Sequence, residues 1–130
     1  MSIQNDKFDP SPPADLAYMI GDGENTISTG INGWLPVPFS CTIVGVELTA
    51  NESGSIVIDI WKDSYANYPP TDDDSITASA VPTISSAIKS QDTTLTGWTK
   101  SLTKGDYLYF NVDSVTTIKG CLISLKVEKT

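Results

Sequence analysis

Histidine is absent from all 130 residues. That removes the commonest general base, the commonest metal ligand and the side chain whose charge changes near neutral pH. Cations are scarce as well. Lys and Arg total 8 against 16 Asp and Glu, a formal net charge of -8, so the long-range field repels phosphate backbones and anionic headgroups. Nucleic acid and membrane surfaces are therefore not expected as partners. The two cysteines, Cys41 and Cys121, stand 80 positions apart, too few and too far apart for a disulfide scaffold or a CxxC metal or redox pair. Buried thiols are the simpler reading of both, and a bridge between neighbouring strands stays open. No apolar run approaches the roughly 20 residues of a membrane span. The first ten residues lack the basic and then apolar order of a secretory leader, so the expected place of synthesis and folding is a cytoplasm.

Strand signals fill the remainder. At this length one domain with a sizeable core is expected. The richest stretch is Thr42 to Lys62, where two β-branched, period-2 runs flank Asn51-Glu52-Ser53-Gly54. The pattern predicts a β-hairpin with Ile56, Ile58 and Ile60 facing the core and Asp59 facing out. The turn at Lys104-Gly105-Asp106 leads into a run in which Leu108, Phe110 and Val112 share one face. In the last run Cys121, Ile123, Leu125 and Val127 do the same. Residues 21–40 mix glycine with β-formers and carry Pro36 and Pro38, which suits an edge strand or a loop. Residues 82–92 hold the one helix-like spacing, Ile84, Ala87 and Ile88, enough for one or two turns. Pro10, Pro12 and Pro13 mark residues 1–20 as an extended, Pro-rich arm that lies on a neighbouring subunit or on its own domain. With no βαβ rhythm, residues 21–130 read as a single all-β domain. Its expected form is an antiparallel β-sandwich with jelly-roll or Greek-key connections.

Chemistry-bearing constellations are few. Acidic residues abound, yet none sits in an apolar stretch that would raise its pKa, so catalytic residues are not assigned. A serine or cysteine nucleophile without histidine would need a lysine base. The run Asp72-Asp73-Asp74 lacks the alternating ligands of a calcium loop and reads as a plain acidic loop or a salt contact for a basic partner. No metal or cofactor is assigned. The aromatic residues carry more. Tyr107 and Tyr109 alternate with Leu108 and Phe110 and are expected to be exposed, offering with Trp98 a stacking surface for sugar rings, or else covering the core rim. The loop at 63–80, with Tyr65, Tyr68, Pro69 and Pro70, is long enough to face a partner.

Several segments together resemble a module of tailed-bacteriophage virion structural proteins. They are Val37-Pro38-Phe39-Ser40-Cys41-Thr42-Ile43, Ser53 to Asp63, Tyr65-Ala66-Asn67-Tyr68-Pro69-Pro70, Leu95-Thr96-Gly97-Trp98 and Gly105-Asp106-Tyr107-Leu108. The resemblance spans about three-quarters of the chain, from Gly30 to Val127. It implies a non-enzymatic structural protein on the particle surface, assembled in the host cytoplasm. Its first expected role is a capsid decoration or cement protein, a homo-oligomer with a trimer favoured. Such a protein would bridge the major capsid protein or other virion proteins through Phe8, Pro10, Pro12, Pro13, Trp34, Tyr65, Tyr68, Pro69 and Pro70. The alternative is a tail-fibre or receptor-binding module that holds host glycan through Trp98, Tyr107 and Tyr109.

Overall fold

A computed structural model describes residues 11–130. Its elements are β1 (Pro13–Ile20), β2 (Gly30–Pro36), β3 (Cys41–Asp63), a 3₁₀ turn (Asp72–Asp74), β4 (Thr83–Asp92), β5 (Ser101–Leu102), β6 (Tyr107–Thr116) and β7 (Cys121–Lys129). No α-helix occurs among the described residues, and every strand pairing is antiparallel. The all-β expectation holds in this form: one strongly curled antiparallel sheet.

The expected hairpin is not there. Cys41–Asp63 is one continuous strand of 23 residues, and residues 51–54 form a bend inside it. A two-residue hairpin turn requires positive φ at its central residues, and none of residues 51–54 adopts it. What holds the bend is the partner across it. β6 pairs with the second half of β3, from Ser55↔Thr116 to Asp63↔Tyr107. β7 pairs with the first half, from Cys41↔Lys129 to Ala50↔Cys121. Both run antiparallel to β3, so together they form one long partner interrupted at 117–120. At that corner Thr117 has φ 74, and Ile118 is fully buried. Asn51 ties the two sides, its N–H donating to the Gly120 carbonyl (3.0 Å) and its Oδ1 accepting from the Gly120 N–H (3.0 Å). Gly54 is needed here for space: a Cβ would lie 2.5 Å from the Thr116 carbonyl oxygen and 2.8 Å from Ile118 Cγ1.

The bend folds the sheet onto itself. One limb carries β1, β7 and the first half of β3; the other carries the second half of β3, β6 and β2. Their inner faces meet where Tyr18 of β1 stacks on Phe110 of β6, with ring centroids 5.3 Å apart. Gly33 of β2 lies so close beneath the Tyr18 ring that a Cβ there would overlap it. The inward isoleucines of β3, with Leu108, Phe110 and Val112, and the alternating Cys121, Ile123, Leu125 and Val127, are buried as their period-2 spacing predicts.

Two further expectations change. Residues 13–20, assigned to the arm, are a strand paired with β7 from Pro13↔Glu128 to Ile20↔Cys121. Pro13 is tolerated because it is the first residue of that strand, and its neighbour Pro12 accepts from the Lys129 N–H at 2.9 Å. Alternation of Leu16, Tyr18 and Ile20 toward the core was the overlooked signal. Phe8 and Pro10 lie outside the described residues. Residues 82–92, read as one or two helical turns, hold strand β4 from Thr83 to Asp92, which pairs with the free side of β3 from Val46 to Val57. So short a helix is marginal in water, whereas the open ladder groups of β3 satisfy a full strand. β4 follows the bend of β3 by a register shift near Gly54 and by Ser86 at φ 46. Among the described residues β2 pairs only with β6, as an edge strand rich in proline and glycine should.

Candidate functional site: an aromatic face on the outer sheet

On the outer side of the β2–β6–β3 limb the register sets side chains in rows. Trp34, Tyr109 and Trp61 lie across one row; Ile31, Asn111 and Asp59 lie across the next. The loop 64–75 folds back over this face. Its rings join those of the sheet: Trp34 to Tyr109 (5.7 Å between centroids), Tyr109 to Tyr68 (5.6 Å), Tyr68 to Tyr107 (5.2 Å) and Tyr107 to Tyr65 (6.1 Å). The two Tyr68 contacts are edge-on, an arrangement favoured by the ring quadrupoles. The Tyr109 hydroxyl donates to that of Tyr68 at 2.8 Å.

The loop decides which rings meet solvent. Tyr107 and Tyr109, expected to be exposed, are covered by Tyr65 and Tyr68; Tyr109 is only 9% exposed. Trp98 is 7% exposed, with its Nε1–H donating to the Ala80 carbonyl at 2.8 Å. It therefore belongs to the core. The exposed members are Trp34 at 53%, Tyr65 at 75% and Tyr68 at 38%, flanked by Ile31 at 50%. Pro69 is exposed and follows a cis Tyr68–Pro69 peptide, while Pro70 is buried.

Asp59 fixes the loop to the sheet. It faces outward as expected, but it is half-buried rather than free. Its Oδ1 accepts from the hydroxyls of Ser75 and Thr77, each at 2.7 Å, and from the Ile60 N–H at 2.8 Å. Its Oδ2 accepts from Trp61 Nε1 at 3.1 Å. Trp61 and Ser75 also form an isolated bridge, and the Ile76 N–H donates to the Ile60 carbonyl at 2.9 Å. The acidic run at 72–74 is a 3₁₀ turn in which Asp74 accepts from the Thr71 N–H at 2.8 Å.

Beside the rings a groove of about 550 Å³ is lined by Ile31, Asp59, Trp61, Pro70, Thr71, Asp72, Asn111 and Asp113. No lysine lines it. Asn111 Nδ2 donates to Asp113 at 2.7 Å. Among the described residues no group of three or more Cys, Asp or Glu side chains is arranged to hold a metal ion.

Cys41 and Cys121 are free and buried, opposite Lys129 and Ala50 at separated points of the ladder. Burial raises both thiols, Cys121 to about 11. Two Ser-x-x-Lys spacings, Ser86 with Lys89 and Ser101 with Lys104, occur in the chain. In neither is the serine hydroxyl hydrogen-bonded to its lysine; the Ser101 carbonyl instead accepts from Lys62.

Sequence reasoning picked out Trp34, Tyr65 and Tyr68, and the tertiary structure brings them onto one face. Sequence reasoning missed the parts played by Asp59, Asn111 and Ile31, although the outward parity of Asp59 was readable. No protein-family model matches the chain, and a search of curated proteins returns no match.

Proposed function

We propose that this chain is a non-enzymatic structural protein of a tailed-phage virion, exposed on the particle surface after assembly in the host cytoplasm. In this reading it is a decoration or cement protein bridging neighbouring capsid subunits. The carrying observation is the ring ladder with exposed Trp34 at one end, exposed Tyr65 at the other and Tyr68 between them, set on the sheet and on the loop tied to it by Asp59. Tyrosine and tryptophan on pre-organised backbone supply most of the energy of many protein interfaces while losing little side-chain entropy. The likeness of Ser53–Asp63 and Tyr65–Pro70 to the phage module supports the same face, because those segments build it. The curled sheet acts as a β-sandwich scaffold with Greek-key-like crossings. Homo-oligomers, with a trimer favoured, place several such faces toward the major capsid protein or other virion proteins. The bridging contact rests on the aromatic face and not on a 20-residue arm, since residues 13–20 are committed to the sheet.

The test is occupancy on purified particles stripped of the protein. Trp34→Ala combined with Tyr65→Ser lowers bound copies while the protein stays folded with a melting temperature only several degrees lower, because both rings are largely exposed and each gives up one ring contact. Full occupancy by that variant would refute the reading. The tail receptor alternative has lost Trp98 to the core and Tyr107 and Tyr109 to the cover of the loop. Its remaining sugar-stacking rings are Trp34, Tyr65 and Tyr68, and a glycan array on the purified protein tests it.

A further inference from the structure

Among the described residues, no element beyond the 64–75 loop covers the outer face that carries the ring ladder, and the groove beside it carries charge of one sign. Asp59, Asp72 and Asp113 line the groove beside it, with Asn111 and Thr71 as the neutral polar groups. Asp63 continues the next row, opposite Tyr107. Among the described residues, three lysines are engaged away from this groove. Lys126 is paired with Asp15 at 2.9 Å and lies 3.7 Å from Glu47, Lys129 stands over the Phe39 ring, and Lys62 donates to Ser101. Two properties of the face thus act together: exposed indole and phenol rings, and carboxylates with no lysine among them.

A guanidinium is the group that fits both. It stacks flat on aromatic faces through the ring quadrupole and its own planarity, and its fork of N–H donors pairs with carboxylates. Asp72 makes no hydrogen bond within the turn and offers both oxygens. Asp113 is exposed and uses only Oδ1 toward Asn111. Trp61, which lines the groove, is held by its indole hydrogen bond to Asp59, so its ring is already oriented there. A carboxylated or phosphorylated ligand, sialylated glycans included, meets repulsion from the same residues.

We infer that this face docks a protein segment carrying arginine, one guanidinium of which enters the groove between Trp61, Asp72 and Asp113 while neighbouring residues of the segment lie on Trp34 and Tyr68. This rests on the proposed virion role and specifies the chemistry of the partner there. The occupant is a basic protein strand or loop, and recognition is salt-dependent.

The experiment uses the full chain, ¹⁵N-labelled, titrated with an acetylated and amidated Gly-Arg-Ser-Arg-Gly peptide and with its citrulline counterpart, which keeps the shape and loses the charge. Expected are shifts of the Trp61 and Trp34 indole N–H signals and none of Trp98, at least fivefold weaker binding of the citrulline peptide, and weakening when salt rises from 50 to 300 mM. Asp72→Asn and Asp113→Asn each weaken the arginine peptide by roughly two- to fivefold, with melting temperatures unchanged. Equal binding of the two peptides, or shifts confined to another face, overturns the inference. So does a neutral sugar that shifts the same indole signals while the arginine peptide does not. The particle-occupancy test separates the two proposals. If Trp34→Ala with Tyr65→Ser loses occupancy but Asp72→Asn with Asp113→Asn retains it, the aromatic face stands and the arginine assignment falls.

Discussion

Asp59→Ala removes the acceptor that joins the 64–77 loop to the sheet, and the structure sets the size of the effect. Four hydrogen bonds end on this carboxylate, three of them from side chains: Ser75, Thr77 and Trp61. Thr77 is fully buried, so its hydroxyl keeps only the 3.3 Å contact with Ser75, which has lost the same partner. A hydrogen bond to a charged group contributes about 1.5–3 kcal/mol, and a buried donor left unmade costs about 1–3 kcal/mol. Because Asp59 and Trp61 are half-exposed, water replaces part of the loss. The expected cost is about 3 kcal/mol, a large fraction of the roughly 5–15 kcal/mol that holds a domain of this kind. For this chain length that lowers the melting temperature by on the order of 10 °C. Urea unfolding followed by tryptophan fluorescence measures it, with Thr77→Val as the second arm of a double-mutant cycle. Alone, Thr77→Val costs about 1 kcal/mol; in the Asp59→Ala background it costs close to nothing, because its partner is already gone. Strict additivity of the two changes, or a cost for Asp59→Ala below about 1 kcal/mol, refutes the account of Asp59 as the tie between loop and sheet.

Gly54→Ala separates a bend from a turn: with its Cβ against the Thr116 carbonyl and Ile118, it costs about 2–3 kcal/mol in urea melts by overpacking alone. Insertion of two glycines after Glu52, harmless in a hairpin loop, breaks the β3 ladder and is expected to unfold the protein, as read by circular dichroism. Cys121, raised to about 11 by burial, stays unlabelled by a thiol reagent at pH 8 until denaturant is added. Because its folded pKa lies above the ordinary thiol value of 9.0, its contribution to stability is intact below pH 9 and is lost as pH rises toward 11. Asp22 accepts from the backbone N–H groups of Glu24 and Asn25, which lower its pKa from 3.8 to about 2. The stabilisation of that turn is complete above pH 3.8 and fades as pH falls through about 2, as a carboxyl-detected NMR titration reads directly.

Much of the strand content was legible because burial on one face of a sheet imposes period 2, and that period survives in Ile56-Ile58-Ile60 and in Cys121-Ile123-Leu125-Val127. The edge position of β2 was legible from its prolines and glycines. Residues 83–92 were not, because three apolar residues at helical spacing fit either element, and the choice lay with the open edge of β3 46 to 57. Residues 13–20 were misassigned since Pro12 and Pro13 outweighed the Leu16, Tyr18 and Ile20 alternation. For the site, Trp34, Tyr65 and Tyr68 were recognisable as aromatic residues in loop or edge positions. That Tyr65 and Tyr68 cover Tyr107 and Tyr109 depends on a fold-back of the 64–75 loop, and Trp98 turns inward where its indole N–H meets the Ala80 carbonyl.

By itself the chain determined an acidic, histidine-free, all-β protein, with the inward and outward residues of most strands already assigned by alternation. Only the tertiary structure decided that Asn51-Glu52-Ser53-Gly54 bends a single strand instead of reversing it. A glycine-bearing polar cluster is compatible with both outcomes, and the difference lies in whether β6 and β7, more than fifty residues away in sequence, lie across the ladder. The same distant pairing set Trp34, Tyr109 and Trp61 in one row and so created the face on which the proposed function rests.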